Sequence, residues 1–215
     1  MVKDCKRYFW LVILLAALPL TGQAQDAKTV LSKAAKAMGA ENLRTLHYSG
    51  SGSGYDEKGQ HLQIKSYSRQ MDLTATTSSV RITRVQGTPP ADQTVNEAVA
   101  ASSPWNAQFD FWITPYGFLK GAMANTATLE TKSVYGESYR IVTFTLPGNH
   151  KVAGYINDKD LVERVHAWVD SDVLIEAVYR DYADFGGLKV PTIEVRNRGG
   201  ALAQIVIIKE AKPNG

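Results

Sequence analysis

Side chains able to do chemistry are few in this chain of 215 residues, and their spacing gathers none of them into a site. The four histidines, His47, His61, His150 and His166, include no two at a metal-ligand spacing. Glu163 and His166 are three apart, which would join them on a helix, but their segment reads as a strand and puts them on opposite faces. No GxSxG elbow and no HExxH motif occurs. Asn157-Asp158-Lys159-Asp160 has the acids of a calcium loop without its central glycine or distal glutamate, so it reads as a hairpin turn. By this reading the chain has no catalytic residue, no metal ligands and no cofactor.

The densest acids lie in YRDYADFGGLKVPTIEVRN, residues 179–197. Carboxylates around a mobile Gly-Gly loop would suit general acid–base work. The flanks, 173–182 and 190–196, read as strands, and Gly186-Gly187 is the pair a two-residue hairpin demands. In a strand Arg180 shares a face with Tyr182 while Asp181 points the other way, so the acids diverge. The stretch is predicted to be a turn, repeated one strand later at Gly199-Gly200.

The elements that carry these residues follow a leader. Lys3, Lys6 and Arg7 precede an apolar run of 13 residues, Tyr8 to Leu20, and Gly22 and Ala24 suit cleavage after Ala24. The run falls short of the roughly 20 residues of a spanning helix. Residues 1–24 are therefore read as a secretory signal peptide and 25–215 as a single domain. Cys5, the one cysteine, leaves with the leader, so the remaining 191 residues have no thiol for catalysis, zinc or disulfides. Three basic residues and one acidic residue leave as well, lowering the formal charge from +3 to +1. A balance so close to zero, with no run of one sign, argues against nucleic acid as a partner. No later segment is long and apolar enough to cross a membrane as a helix.

From Asp26 the spacing of Val30, Leu31, Ala34, Ala35 and Met38 predicts a helix with one apolar face, capped by Asp26 and stopped at Gly39. In LHYSGSGSGY, Gly50, Gly52 and Gly54 share one face of a strand and leave room for close approach of another backbone. Its spacing fits no phosphate-binding loop. Residues 59–86 read as an edge hairpin with Leu62 and Ile64 on one face, and 87–104 as a long polar connection. At least five strand-like runs follow, at 126–134, 138–146, 161–169, 173–182 and 201–209. Turn signals separate them, and no helical pattern does, which predicts an antiparallel meander. The last run, AQIVIIK, is apolar on both faces and calls for cover on both.

One segment stands apart. In PWNAQFDFWITPYGFLKGAMAN, the rings of Trp105, Phe109, Phe111, Trp112, Tyr116 and Phe118 fall within fourteen positions of a chain that is 9% aromatic. They either complete the core or form a lid over an apolar cavity, and a closed lid is core as well. These six are the candidate ligand-binding residues.

The C-terminal third resembles the lipoprotein-carrier (LolA/LolB-like) superfamily. The resemblance rests on Trp168, on Tyr179-Asp181-Tyr182, on Gly186-Gly187-Lys189-Pro191-Thr192, on Gly199-Gly200, and near the N-terminus on Leu43, Leu46, Tyr48 and Gly50. It implies an α+β, mainly β fold: an unclosed antiparallel half-barrel wrapped around the N-terminal helix and a lid segment. It also implies a periplasmic, non-enzymatic protein that binds a lipid, acyl chain or other hydrophobic molecule on the concave side, with an envelope protein as a further partner. A second resemblance, on ITPYGFLKGAMANTATLE and VAGYINDKDLVERVHAWVD, is to the leading domain of secreted proteins that continue into a metallo-β-lactamase-fold hydrolase. The chain has no HxHxDH cluster, so this implies an accessory or partner-binding domain without catalysis of its own.

Overall fold

A computed structural model describes residues 19–215 apart from 57, 88, 135 and 170–172. Most of the leader read at 1–24, and the turn read at Asp170-Ser171-Asp172, lie outside the described residues.

Helix α1 spans Pro19–Ala37. It begins before Asp26, which lies inside the helix and caps nothing. Nothing between Pro19 and Asp26 halts a helix, and proline is tolerated in the first turn. The apolar face is as the spacing predicts: Ala27, Leu31, Ala34 and Met38 are fully buried. The helix closes with paired bonds, Ala40 N to Ala35 O at 2.8 Å and Gly39 N to Lys36 O at 3.0 Å. Such a closure needs a left-handed residue, supplied by Gly39 at φ +69°. Lys189 N then donates to Met38 O at 3.0 Å, docking the helix end on a hairpin of the sheet.

Eleven strands form one antiparallel sheet. They are β1 (Thr45–Tyr55), β2 (His61–Asp72), β3 (Thr77–Gln86), β4 (Ala91–Val99), β5 (Ala127–Val134), β6 (Glu137–Leu146), β7 (His150–Ile156), β8 (Val162–Trp168), β9 (Leu174–Phe185), β10 (Leu188–Arg198) and β11 (Ala201–Pro213). Their order is β4-β3-β2-β1-β11-β10-β9-β8-β7-β6-β5, so two meanders join where β11 pairs with β1. The sheet is unclosed, with β4 and β5 as its edges. Helices α2 (Trp105–Trp112) and α3 (Pro115–Ala124) carry the chain from one edge to the other. This is a mainly β, unclosed antiparallel sheet with three helices, as the resemblance implies.

Several readings change. Residues 87–104 contain a strand, β4, rather than only a connection, and the hairpin 59–86 is therefore not itself the edge. An edge strand paired on one side needs no buried apolar face, so ADQTVNEAV carries no alternation to detect. β7 had no signal of its own, because its inward positions include Gly154 and its outward ones Ala153. In β11 only one face is covered: Val206 and Ile208 are buried, whereas Ile207 is 40% exposed. Arg180 and Tyr182 do not share a face. Asp181 stands at φ +54°, the pairing skips it, and Tyr182 turns inward to donate to Val162 O at 2.5 Å while Arg180 stays outside. Glu163 and His166 are not on opposite faces either: beside an irregularity in the β7–β8 pairing Glu163 accepts from Tyr139 at 2.9 Å, on the side where Tyr139 packs on Tyr155 and Tyr155 on His166.

Other expectations hold. Gly186 and Gly187 have φ of +66° and +88°, as a two-residue hairpin requires, and Asp184 Oδ1 accepts from Gly187 N at 2.8 Å. The stretch at 179–197 is a turn between strands. The glycine face of β1 admits a backbone: a Cβ on Gly50 would sit 1.9 Å from Ile207 O, and one on Gly52 2.0 Å from Ile205 O. Register shifts flank both glycines, so the sheet turns a corner where β1 meets β11.

The concave side is filled by α1, α2 and α3. Phe118 lies over Gly154 of β7, where an added Cβ would come within 2.3 Å of its ring. Gly154→Ala should therefore lower stability by about 1–3 kcal/mol, the usual cost of overpacking. Urea denaturation measures it, and an unchanged midpoint would mean that α3 is not seated on β7.

Candidate ligand-binding site

The crossing segment folds as two short helices because of one corner. Pro115 disfavours helical backbone at Thr114 and so ends α2, yet it suits the first position of α3. Thr114 Oγ1 accepts from Gly117 N at 3.0 Å and donates to Phe111 O at 2.8 Å. The corner is wholly buried.

Of the six candidate residues, Phe111, Trp112, Tyr116 and Phe118 are buried, while Trp105 and Phe109 pack at the margin. Phe111 meets Trp112 edge-on at 4.9 Å, and Trp112 and Phe118 close on Phe144 of β6 at 6.4 and 6.0 Å. These rings fill the concave face. Each helix is also tied by polar bonds to the sheet: Trp105 Nε1 donates to Trp168 O at 2.6 Å, Tyr116 Oη to Lys189 O at 2.9 Å, and Tyr179 Oη to Ile113 O at 2.7 Å.

The strongest tie was not legible beforehand. Asp110 of α2 takes both Arg69 terminal nitrogens, Nη1 to Oδ2 at 2.6 Å and Nη2 to Oδ1 at 3.0 Å. Arg196 Nη1 adds a bond to Oδ1 at 2.9 Å, and its Nε donates to Glu194 Oε1 at 2.7 Å. Arg69 and Glu194 are 2% and 1% exposed, so these charges are held out of water. Burial alone would raise the Asp110 pKa, but the two guanidinium groups override it and hold the carboxyl well below the usual range. Burial pushes Tyr67 up to about 12, so its hydroxyl stays protonated and its oxygen accepts from Arg69 Nε at 2.9 Å. A sequence signal existed for one partner only: Asp110 is the single charge between Trp105 and Leu119.

An open cavity of about 490 Å³ lies between α1, α3 and the β2–β3 turn. Ala35, Leu43, Leu73, Tyr116, Leu119 and Met123 give it an apolar lining. At its rim Lys120 Nζ donates to the Leu73 carbonyl. Tyr116 is the one candidate residue that lines it. A second cleft of about 530 Å³, near the β1–β4 strand ends, is more polar, with His47, Gln70, Asp72 and Lys212 in its wall. The first is better suited to an apolar ligand. Among the described residues no group of three His, Cys, Asp or Glu side chains is placed to hold a metal ion.

The sequence matches no family model and no curated protein. Its architecture is that of the LolA-like half-barrels. It is similar to the crystal structure of a LolA superfamily protein from Nitrosomonas europaea, with a TM-score of 0.57, 14% identity, and coverage of 88% of this chain and 94% of that one. It is also similar to a DUF1329 family protein from Desulfovibrio piger, with a TM-score of 0.55, 10% identity, and coverage of 89% and 93%.

Replacing Asp110 with Asn leaves Arg69 and Arg196 facing only Glu194, and removing one member of a buried ionic group costs about 3–5 kcal/mol. Because the folded carboxyl is depressed, its contribution is complete above the unfolded value near 4 and is lost as pH falls below it. Urea denaturation at pH 7 and pH 3 should show a large wild-type loss on acidification and a smaller loss in Asp110→Asn. Equal losses would remove Asp110 from the account of acid sensitivity.

Proposed function

We propose that the protein is a periplasmic, non-enzymatic binding protein for a lipid, acyl chain or other hydrophobic ligand, formed by residues 25–215 as one domain after loss of the leader. One observation carries this reading: an apolar-lined cavity of about 490 Å³ beside the two-helix segment that fills the concave face. Its size falls within the usual range for ligand pockets, about 300–1,000 Å³. The likeness to a LolA superfamily structure supports the same reading.

In this proposal α2 and α3 are a closed lid. The ligand enters past Met123, which is 43% exposed, and extends beneath α3 as the aromatic rings give way. Hydrogen bonds and ion pairs hold the lid at several points, and such bonds can be remade after opening. The accessory-domain reading predicts a filled core with no cavity; the core is filled, and the open cavity weighs against that reading.

Native mass spectrometry of the mature protein, purified from the periplasm without detergent, is the first test. A bound mass released by organic solvent supports a carrier and names its ligand class. A clean apo monomer that takes up no lipid on titration favours the accessory domain. Residue tests sharpen this. Met123→Trp at the cavity mouth should weaken uptake of a fluorescent fatty acid by about tenfold, or ~1.4 kcal/mol, with little change in melting temperature. Phe118→Ala should instead cost about 3–5 kcal/mol of stability, since its ring is fully buried. Unchanged uptake in Met123→Trp would move the entrance elsewhere.

A further inference from the structure

Among the described residues three buried side-chain atoms have no hydrogen-bond partner: Arg84 Nε, Gln86 Oε1 and Arg196 Nη2. Leaving such a group unpaired costs about 1–3 kcal/mol, and each one in a folded protein calls for an explanation, an unseen ion or ligand among them. These three are not scattered. On the inner face Arg84 pairs with Ile64, Ile64 with Gly52, Gly52 with Val206, and Val206 with Glu194. The next row holds Leu62, Gly54, Gln204 and Arg196, and Gln86 follows Val85, the partner of Gln63, at the end of β3. All three atoms thus belong to side chains on two adjacent rows at one end of the concave face.

That end is one negative charge short. Arg69, Arg84 and Arg196 stand against Asp110 and Glu194. The fork of Arg69 is fully engaged by Tyr67, Ser78 and Asp110. Arg196 uses Nε and Nη1 and has Nη2 left over. No carboxylate pairs with Arg84 among the described residues. In these rows Ile64, Leu62, Val206 and Gln204 also stand between the two arginines, while Gly52 and Gly54, on the middle strand, add no side chain. Asp110 meets Arg69 of β2 and Arg196 of β10 at once, so inward side chains from the two sides of this junction do converge.

We propose that this end of the concave face is a headgroup subsite, where Arg84 and Arg196 receive the oxyanion of an amphiphile whose chain lies under the lid. The donor set suits a carboxylate or a phosphate, the groups that a guanidinium fork pairs with best. A bound oxyanion accepts from Arg196 Nη2 and Arg84 Nε and restores charge balance. Arg196 also holds Asp110, so the headgroup sits against the same residue that ties α2 to the sheet. This rests on the carrier reading above and adds that its ligand is anionic.

The test compares binding of palmitate and of hexadecanol, equal in chain length, to the mature protein and to Arg84→Gln. Wild type should prefer palmitate by about tenfold, and Arg84→Gln should bring the two within about twofold of each other. Arg84→Lys should keep part of the preference. Dodecyl phosphate against dodecanoate then tells which oxyanion fits better. Equal binding of palmitate and hexadecanol by wild type overturns the subsite and leaves the carrier reading standing. Binding of neither overturns the carrier reading, and the subsite with it. Inorganic phosphate bound as tightly as dodecyl phosphate would make this a site for free anions and overturn the headgroup assignment.

Discussion

An unclosed sheet has two edges, and this chain must pass from one to the other once. β4 ends at one edge and β5 begins at the other, with the rest of the sheet between them. The passage crosses the concave side, where the inner apolar positions of both arms need cover. A polar loop would leave that face wet, and one long helix would be cut short by Pro115. Two short aromatic helices meet both demands. The clustering of Trp105, Phe109, Phe111, Trp112, Tyr116 and Phe118 is thus a consequence of topology before it is a sign of function.

Aromatic cover alone would hold the segment without fixing its place, because apolar contacts are not directional. Asp110 supplies the fixing. It reaches Arg69 on β2 and Arg196 on β10, two strands on either side of the glycine corner, and so spans both arms of the sheet at one point. The desolvation cost of such a group is comparable to its Coulombic gain, so its net contribution to stability is small. Breaking it is expensive all the same, since the abandoned charges stay buried. That asymmetry sets α2 in one register with little net stabilisation, which is what the proposed lid requires.

Elements stabilised by their own local chemistry were legible in the sequence. The apolar face of α1, its stop at Gly39 and the Gly-Gly hairpins follow from spacing and from backbone freedom at single positions. The half-barrel itself came through resemblance to a family, not through periodicity. β4 was illegible because an edge strand has no face to bury, and β7 because glycine and alanine thinned its alternation. The inward turn of Tyr182 depends on one non-glycine residue, Asp181, at positive φ, which no pattern of side chains announces. The Asp110 cluster joins residues 41 and 86 positions apart, and only its lone charge among rings hinted at it.

His166, the histidine with the most polar partners, belongs to a network with Glu176 whose members satisfy one another. On the convex face His166 Nε2 donates to Glu176 Oε2 at 2.9 Å, and its Nδ1 takes the Tyr155 hydroxyl at 3.3 Å. Glu176 also accepts from Asn197 at 2.9 Å and from Arg164. The bond from His166 leads the effects that hold its carboxyl down to about 2, with Asn197 and Arg164 adding to it against the opposing pull of burial. A carboxylate so fully supplied has no reason to accept a proton near neutrality, and an imidazole held at both nitrogens presents no free base. The concave end reverses this: Arg84 and Arg196 each keep a buried nitrogen without a partner. Unsatisfied groups, rather than reactive ones, are what distinguish the two faces of the sheet. In the proposal above, those unspent donors are what an anionic headgroup would engage.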